Sequence, residues 1–138
     1  MKKVSSIDTD DILFRLVTKA VQEGVIAISG VVCPQGERPD GSAAEDIVIN
    51  TIEVTHEKPQ TGTSNVNIYA ADLKVRINGK EQYKCNRERL REIGDALTSF
   101  LDAQNVADLE FEIEQDVTIK ELEVRQHYRN LRISWNIH

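Results

Sequence analysis

Residues 107–137 read ADLEFEIEQDVTIKELEVRQHYRNLRISWNI. Leu109, Phe111 and Ile113 alternate with Glu110, Glu112 and Glu114. Further on, Leu131, Ile133, Trp135 and Ile137 alternate with Asn130, Arg132, Ser134 and Asn136. Side chains on a strand change face at every residue, so each apolar set faces a core and each polar set faces away. Between the two sets, Leu122 and Val124 are the inward candidates, with Glu123, Arg125 and His127 opposite. The apolar phase is even at Leu122 and Val124 but odd from Leu131 on, and a bulge or bend near Tyr128 to Asn130 would absorb the slip. The expectation is two or three long β segments whose one face the rest of the chain covers.

Working back from there, Asn86 caps a helix predicted over Arg87 to Gln104, with Leu90, Ile93, Ala96, Leu97, Phe100 and Leu101 as its apolar stripe. Arg87, Arg89 and Arg91 crowd its first turn, against the helix dipole, so an acidic group is expected nearby. Asn65 to Ile77 reads as one long strand, with Val66, Ile68 and Ala70 on one face and Tyr69, Leu73, Val75 and Ile77 on the other. Asn78-Gly79 marks a tight turn leading to Tyr83. Asp46 to Thr55 is another strand, and His56 to Ser64 a polar loop. Cys33 to Asp46, with Pro34, Gly36, Pro39 and Asp40-Gly41, is a long loop. Both loops are expected to be mobile in the isolated chain. Val25 to Val32 reads as a strand with a bulge at Gly30. The first helix carries Ile12, Leu13, Leu16, Val17, Ala20 and Val21, with Asp8 or Thr9 as cap, Asp10 and Asp11 in its first turn and Gly24 at its end. The order α, β-rich, α, β-rich predicts a single α+β domain over residues 1–138: a mostly antiparallel sheet carrying two helices.

Composition narrows the function. A net charge of −6 disfavours general nucleic-acid binding and attachment to anionic lipid. No apolar run nears the roughly 20 residues of a membrane helix. Met1 to Ser6 holds two lysines with no apolar run behind them, so no signal peptide is read there. Two cysteines, Cys33 and Cys85, do not make a disulfide framework and point to a reduced, intracellular setting. A search for chemistry finds no phosphate-binding glycine loop, no Cys-x-x-Cys and no paired zinc histidines; His56, His127 and His138 are scattered. Cys33 as a nucleophile is weighed against a half-buried residue before Pro34, and the second reading is preferred. Glu45-Asp46 and Asp10-Asp11 as acid–base pairs are weighed against a loop flank and a helix-dipole complement, again with the second preferred. No catalytic, cofactor or metal site is assigned. The stripe Glu110, Glu112 and Glu114 stays open between a solvated face salt-bridged to Arg125 and Arg132 and an electrostatic surface with a job, such as a wall that repels a polyanion.

The succession of parts resembles a family. The order is a short N-terminal helix, a strand, a Pro- and Gly-containing loop, the strand Asp46-Ile47-Val48-Ile49, a polar loop, and the strand Asn65-Val66-Asn67-Ile68-Tyr69. An amphipathic helix with Leu90, Ile93, Ala96 and Leu97 follows, then a last strand Asn130 to Ile137. This is similar to the tail-terminator, or tail-completion, minor tail proteins of long-tailed bacteriophages and prophages. The resemblance implies a structural, non-enzymatic protein that forms a ring, commonly of six subunits, capping the tail tube and joining it to the head. It implies tail-tube and head–tail connector proteins as partners, DNA passing an acidic lumen without specific binding, and residence in the bacterial cytoplasm during assembly and then in the virion tail. Glu110, Glu112 and Glu114 would be the lumen or interaction surface, and Arg87, Arg89 and Arg91 the subunit contact. The alternative is a small intracellular adaptor or binding module without catalytic activity.

Overall fold

In the computed structural model, which describes residues 3–122 and 124–138, a five-stranded sheet carries both helices on one face. Met1, Lys2 and Glu123 lie outside the described residues. The elements are α1 (Ser6–Gln22), β1 (Val32–Pro34), β2 (Ile47–Val54), β3 (Gln60–Ala71), β4 (Leu73–Ile77), β5 (Lys80–Lys84), α2 (Arg87–Asp102), β6 (Leu109–Lys120) and β7 (Gln126–Ile137). The main sheet runs β1-β2-β3-β7-β6, antiparallel throughout except for β1 beside β2. β4 and β5 form a separate two-stranded sheet. The fold is α+β, as its alternating patterns predict.

The core is what the periodicities select. Leu13 and Val17 of α1, and Leu90, Ile93, Leu97 and Leu101 of α2, bury against Ile47, Ile49, Val66, Ile68, Leu131 and Ile133. Burying one such side chain stabilises by roughly 1.5–3 kcal/mol, so this face dominates the stability. Phe100 and Phe111 are only half-buried at the margin of that core, with Phe111 tilted on Trp135 at 5.2 Å. A polar chain crosses the same interior. The Trp135 indole N–H donates to Ser64 Oγ (2.8 Å), which meets Thr51 Oγ1 (2.7 Å), which meets Thr9 Oγ1 (2.7 Å). It joins α1, β2, β3 and β7 and satisfies groups that would be costly to bury alone.

Several local expectations are corrected. The cap of α1 is Ser5 rather than Asp8 or Thr9. Ser5 Oγ accepts from the Asp8 N–H while the Ser5 N–H donates to the Asp8 carboxylate, a reciprocal box. This places Asp10 and Asp11 beyond the first turn and frees Thr9 for the core. Val25 to Val31 is irregular, because the Val31 N–H is taken by the Asp46 side chain; only Val32–Pro34 pairs as strand. The segment Gln60 to Ser64, read as loop from its polar residues, is strand held between β2 and β7. The strand over Asn65 to Ile77 breaks at Asp72, whose N–H donates to the Arg125 carbonyl, so Leu73, Val75 and Ile77 leave the main sheet. α2 ends at Asp102.

The phase slip at the C-terminus is resolved elsewhere than expected. β7 pairs with β3 without interruption from Gln126 to Ile137, and the extra residue is Glu114 of β6, skipped between Ile113↔Ile133 and Gln115↔Arg132. Leu122 and Val124 are not inward: they sit in the β6–β7 connection, 78% and 44% exposed. The bulge also turns Asp116 and Thr118 onto the helix-bearing face and Val117 and Ile119 onto the outer one.

Candidate functional site

Each acidic residue of the predicted stripe is exposed, but the stripe is not one row. Glu110 and Glu112 pair across β7 with Asn136 and Ser134 on the outer face, while Glu114 is the bulged residue. The recorded neighbour of Glu110 is His138 (3.3 Å). Salt bridges from the stripe to Arg125 or Arg132, part of one of the two open readings, are absent among the described residues. Arg125 stacks on Tyr83 (3.7 Å to the ring centroid), and the buried Arg132 Nε has no hydrogen-bond partner among the described residues. The first three alternations of β6, Leu109-Glu110-Phe111-Glu112-Ile113, therefore present exposed carboxylates on one face and half-buried apolar groups on the other, along a strand whose far side is the edge of the sheet.

The three arginines at the start of α2 divide. Arg89 is used inside the chain. Its guanidinium donates to Glu45 (Nη2 to Oε1, 2.9 Å) and to the Ala27 carbonyl, and it also meets Glu92 (3.3 Å). Glu45 is the compensating acid expected near that turn, and the hydrogen bond from Arg89 holds its carboxyl below the ordinary range. Arg87 and Arg91 are exposed on the rim of a surface hollow of about 320 Å³, shared with Leu90, Asp95, Asp116, Thr118 and Arg129. The structure thus brings Arg87 and Arg91 towards Asp116, and not towards Glu110 or Glu112, which line a different hollow with Phe111, Ser134 and Asn136. Arg129 closes the floor of the first hollow. It donates to both oxygens of Asp116 (2.9 and 2.6 Å), to Asp95 (2.9 Å) and to the Leu90 carbonyl (3.2 Å), and the two carboxylates, Asp116 foremost, raise its pKa further. It lies against Gly94, where an added Cβ would stand 2.7 Å from the guanidinium carbon.

Sequence reasoning met Asp46 as half of the Glu45-Asp46 pair and preferred a loop flank to an acid–base role; the structure makes it a buried anchor. It is 1% exposed and accepts from the Val31 N–H (2.8 Å), Arg38 Nε (2.9 Å) and Ser42 Oγ (2.6 Å). Burial pushes its carboxyl up, but the hydrogen bonds from Ser42, Arg38 and Val31 outweigh it and leave the pKa lowered. Arg38 reaches on to Gln126 Oε1 (2.8 Å) and lies 3.9 Å over the Tyr69 ring, and Gln126 donates to the Ser42 carbonyl (2.6 Å). Tyr69, half-buried and bonded to Glu121, is pushed up to about 12, chiefly by that burial. The signal for this cluster was available in outline: an Arg and an Asp inside one Gly- and Pro-rich loop. Its role is to fasten that loop.

Neither thiol is activated. Burial raises the pKa of Cys33, helped by the charge of Asp46, and raises that of Cys85, helped by Asp72. Beside Cys85, His127 Nδ1 meets the buried Asp72 carboxylate at 2.6 Å, a pair that ties the root of β4 to β7. Among the described residues, no group of three or more His, Cys, Asp or Glu side chains is placed to hold a metal ion, and no helix is long and apolar enough to cross a membrane. No known family model matches the chain, and no curated protein is significantly similar to it in sequence.

Proposed function

We propose that this chain is a non-catalytic subunit of a phage or prophage tail: a tail-completion protein that forms a ring at the head-proximal end of the tail tube and helps join it to the head. The observation that supports this reading best is the outer edge of β6, a 12-residue strand with exposed carboxylates and, among the described residues, no neighbouring strand on that side. An edge of that length is an invitation to pair with another chain, and a ring subunit needs such a surface. The overall charge of −6 fits a channel that DNA must cross without being held. The partners are further copies of the chain, the tube protein and the head–tail connector; no cofactor takes part. The protein works in the bacterial cytoplasm during assembly and remains in the virion tail.

Deleting the gene from its host and examining induced lysates by electron microscopy tests the reading. The expected result is unjoined heads and aberrant tails, restored by the gene in trans. A normal yield of joined, infectious particles overturns it and favours the adaptor reading, which would use the same edge in another assembly.

A further inference from the structure

Two five-residue stretches of this chain, the start of one strand and the whole of another, are written in the same pattern with opposite charge. The start of β6 is Leu109-Glu110-Phe111-Glu112-Ile113, and β4 is Leu73-Lys74-Val75-Arg76-Ile77. Both are edge strands. Among the described residues, β6 ends the main sheet and β4 pairs with β5 alone. β4 also keeps its apolar face out of the core, with Leu73 46% and Ile77 40% exposed. The hairpin Leu73 to Lys84 holds Lys74, Arg76, Lys80 and Lys84 against Glu81 alone, a net charge of +3. β6 holds Glu110, Glu112, Glu114 and Asp116 against Lys120, a net charge of −3.

From this we infer that β4 of one copy adds to the outer edge of β6 of a second copy, over Leu109–Ile113. The inference rests on the ring reading for its setting and names the partner of the acidic edge: the chain itself. With the strands side by side, Leu73, Val75 and Ile77 continue the apolar row of Leu109, Phe111 and Ile113, and Lys74 and Arg76 meet Glu110 and Glu112 on the outer face. Backbone hydrogen bonds supply the contact, and alternating side chains supply its selectivity. Like pairings are disfavoured, because β6 against β6 sets carboxylate beside carboxylate and β4 against β4 sets cation beside cation. The Lys74–Glu81 ion pair (3.2 Å) is exposed at both ends and offers little competition. Because the two surfaces differ, the contact is head-to-tail and propagates until it closes, which is how a ring is built.

The test is sedimentation of the full-length chain at low salt over rising concentration, with dilution-dependent amide shifts followed by NMR. The wild type is expected to associate, less so in high salt, with shifts concentrated in Leu73–Ile77 and Leu109–Ile113. Lys74→Glu/Arg76→Glu and Glu110→Lys/Glu112→Lys, all at exposed positions, should each weaken association by about tenfold or more. A 1:1 mixture of the two variants should recover it, since each then offers the edge the other lacks. Thermal melts establish that both variants fold; should one not, Val75→Lys, which puts a charge into the apolar row, takes its place with the same expected loss. A wild type that stays monomeric to its solubility limit overturns the contact, as do variants that associate like the wild type or a mixture that does not recover. Those results leave the tail reading standing, whereas normal particles from the gene deletion would remove the tail setting and leave this contact in place.

Discussion

The loop Gln35 to Asp46 and the hairpin β4–β5 exchange the roles their secondary structure would assign them. The loop has little regular structure, two positive-φ glycines and two prolines on or beside it, yet Asp46 and Arg38 fasten it to Val31, Ser42, Gln126 and Tyr69. The hairpin is regular, with Asn78 and Gly79 at φ 52° and 74° making its turn, but its polar ties to the body among the described residues lie at its root, at Asp72 and Tyr83. A hairpin of two strands is marginal by itself. Order in this molecule therefore follows buried polar anchors and apolar burial more closely than it follows hydrogen-bonded ladders.

The largest effect that tests the contrast is Asp46→Ala. Removing one partner of a buried ion pair strands Arg38 and the Val31 N–H, and a loss of about 3 kcal/mol is expected by denaturant unfolding. A change near zero would mean the loop is not held by this carboxylate. Acid probes the same contact. Asp46 and Glu45 both have depressed pKa values. Their contribution is complete above the unfolded carboxyl pKa, near 4, and fades as pH falls through the lower folded value. Melting temperature should hold from neutral pH to about 5 and drop below about 4, and the drop should be shallower in Asp46→Ala.

Next comes Gly30→Ala. An added Cβ would overlap Asp46 Oδ1 and stand 2.7 Å from the Glu45 carbonyl oxygen, so backbone must move, at a cost of about 2 kcal/mol. The smallest effect belongs to the hairpin: Ile77→Ser, at a position 40% exposed, should change stability by under about 0.5 kcal/mol. Hydrogen exchange gives the same comparison in one measurement. Val31 and the Gln35–Asp46 amides should exchange more slowly than those of Lys80–Lys84. The reverse order would undo the contrast and restore the expectation of a mobile loop.

The sequence carried the elements whose pattern is long and two-sided. Leu90, Ile93, Leu97 and Leu101 are buried at helical spacing, and Leu131, Ile133, Trp135 and Ile137 at strand spacing, because burial was the only use their pattern allowed. What it did not carry was set by distant partners. The bulge at Glu114 depends on the register with β7, where Arg132 takes the place opposite Gln115. The strand Gln60–Ser64 is polar because Ser64 serves the Trp135 indole, a need invisible in local propensity. In the candidate surface, the exposure of Glu110, Glu112 and Glu114 was legible from alternation. The withdrawal of Arg89 into the chain was not, since it required knowing that Glu45 lies across from it.

Arg129 has a mechanical consequence. One side chain grips α2 at the Leu90 carbonyl and Asp95 and β6 at Asp116, over a glycine that leaves no slack. Helix and ribbon are thereby coupled as a lever to its pivot. A tug on β6 at Asp116 would therefore be met at the start of α2, beside the exposed Arg87 and Arg91 on the same face of the sheet.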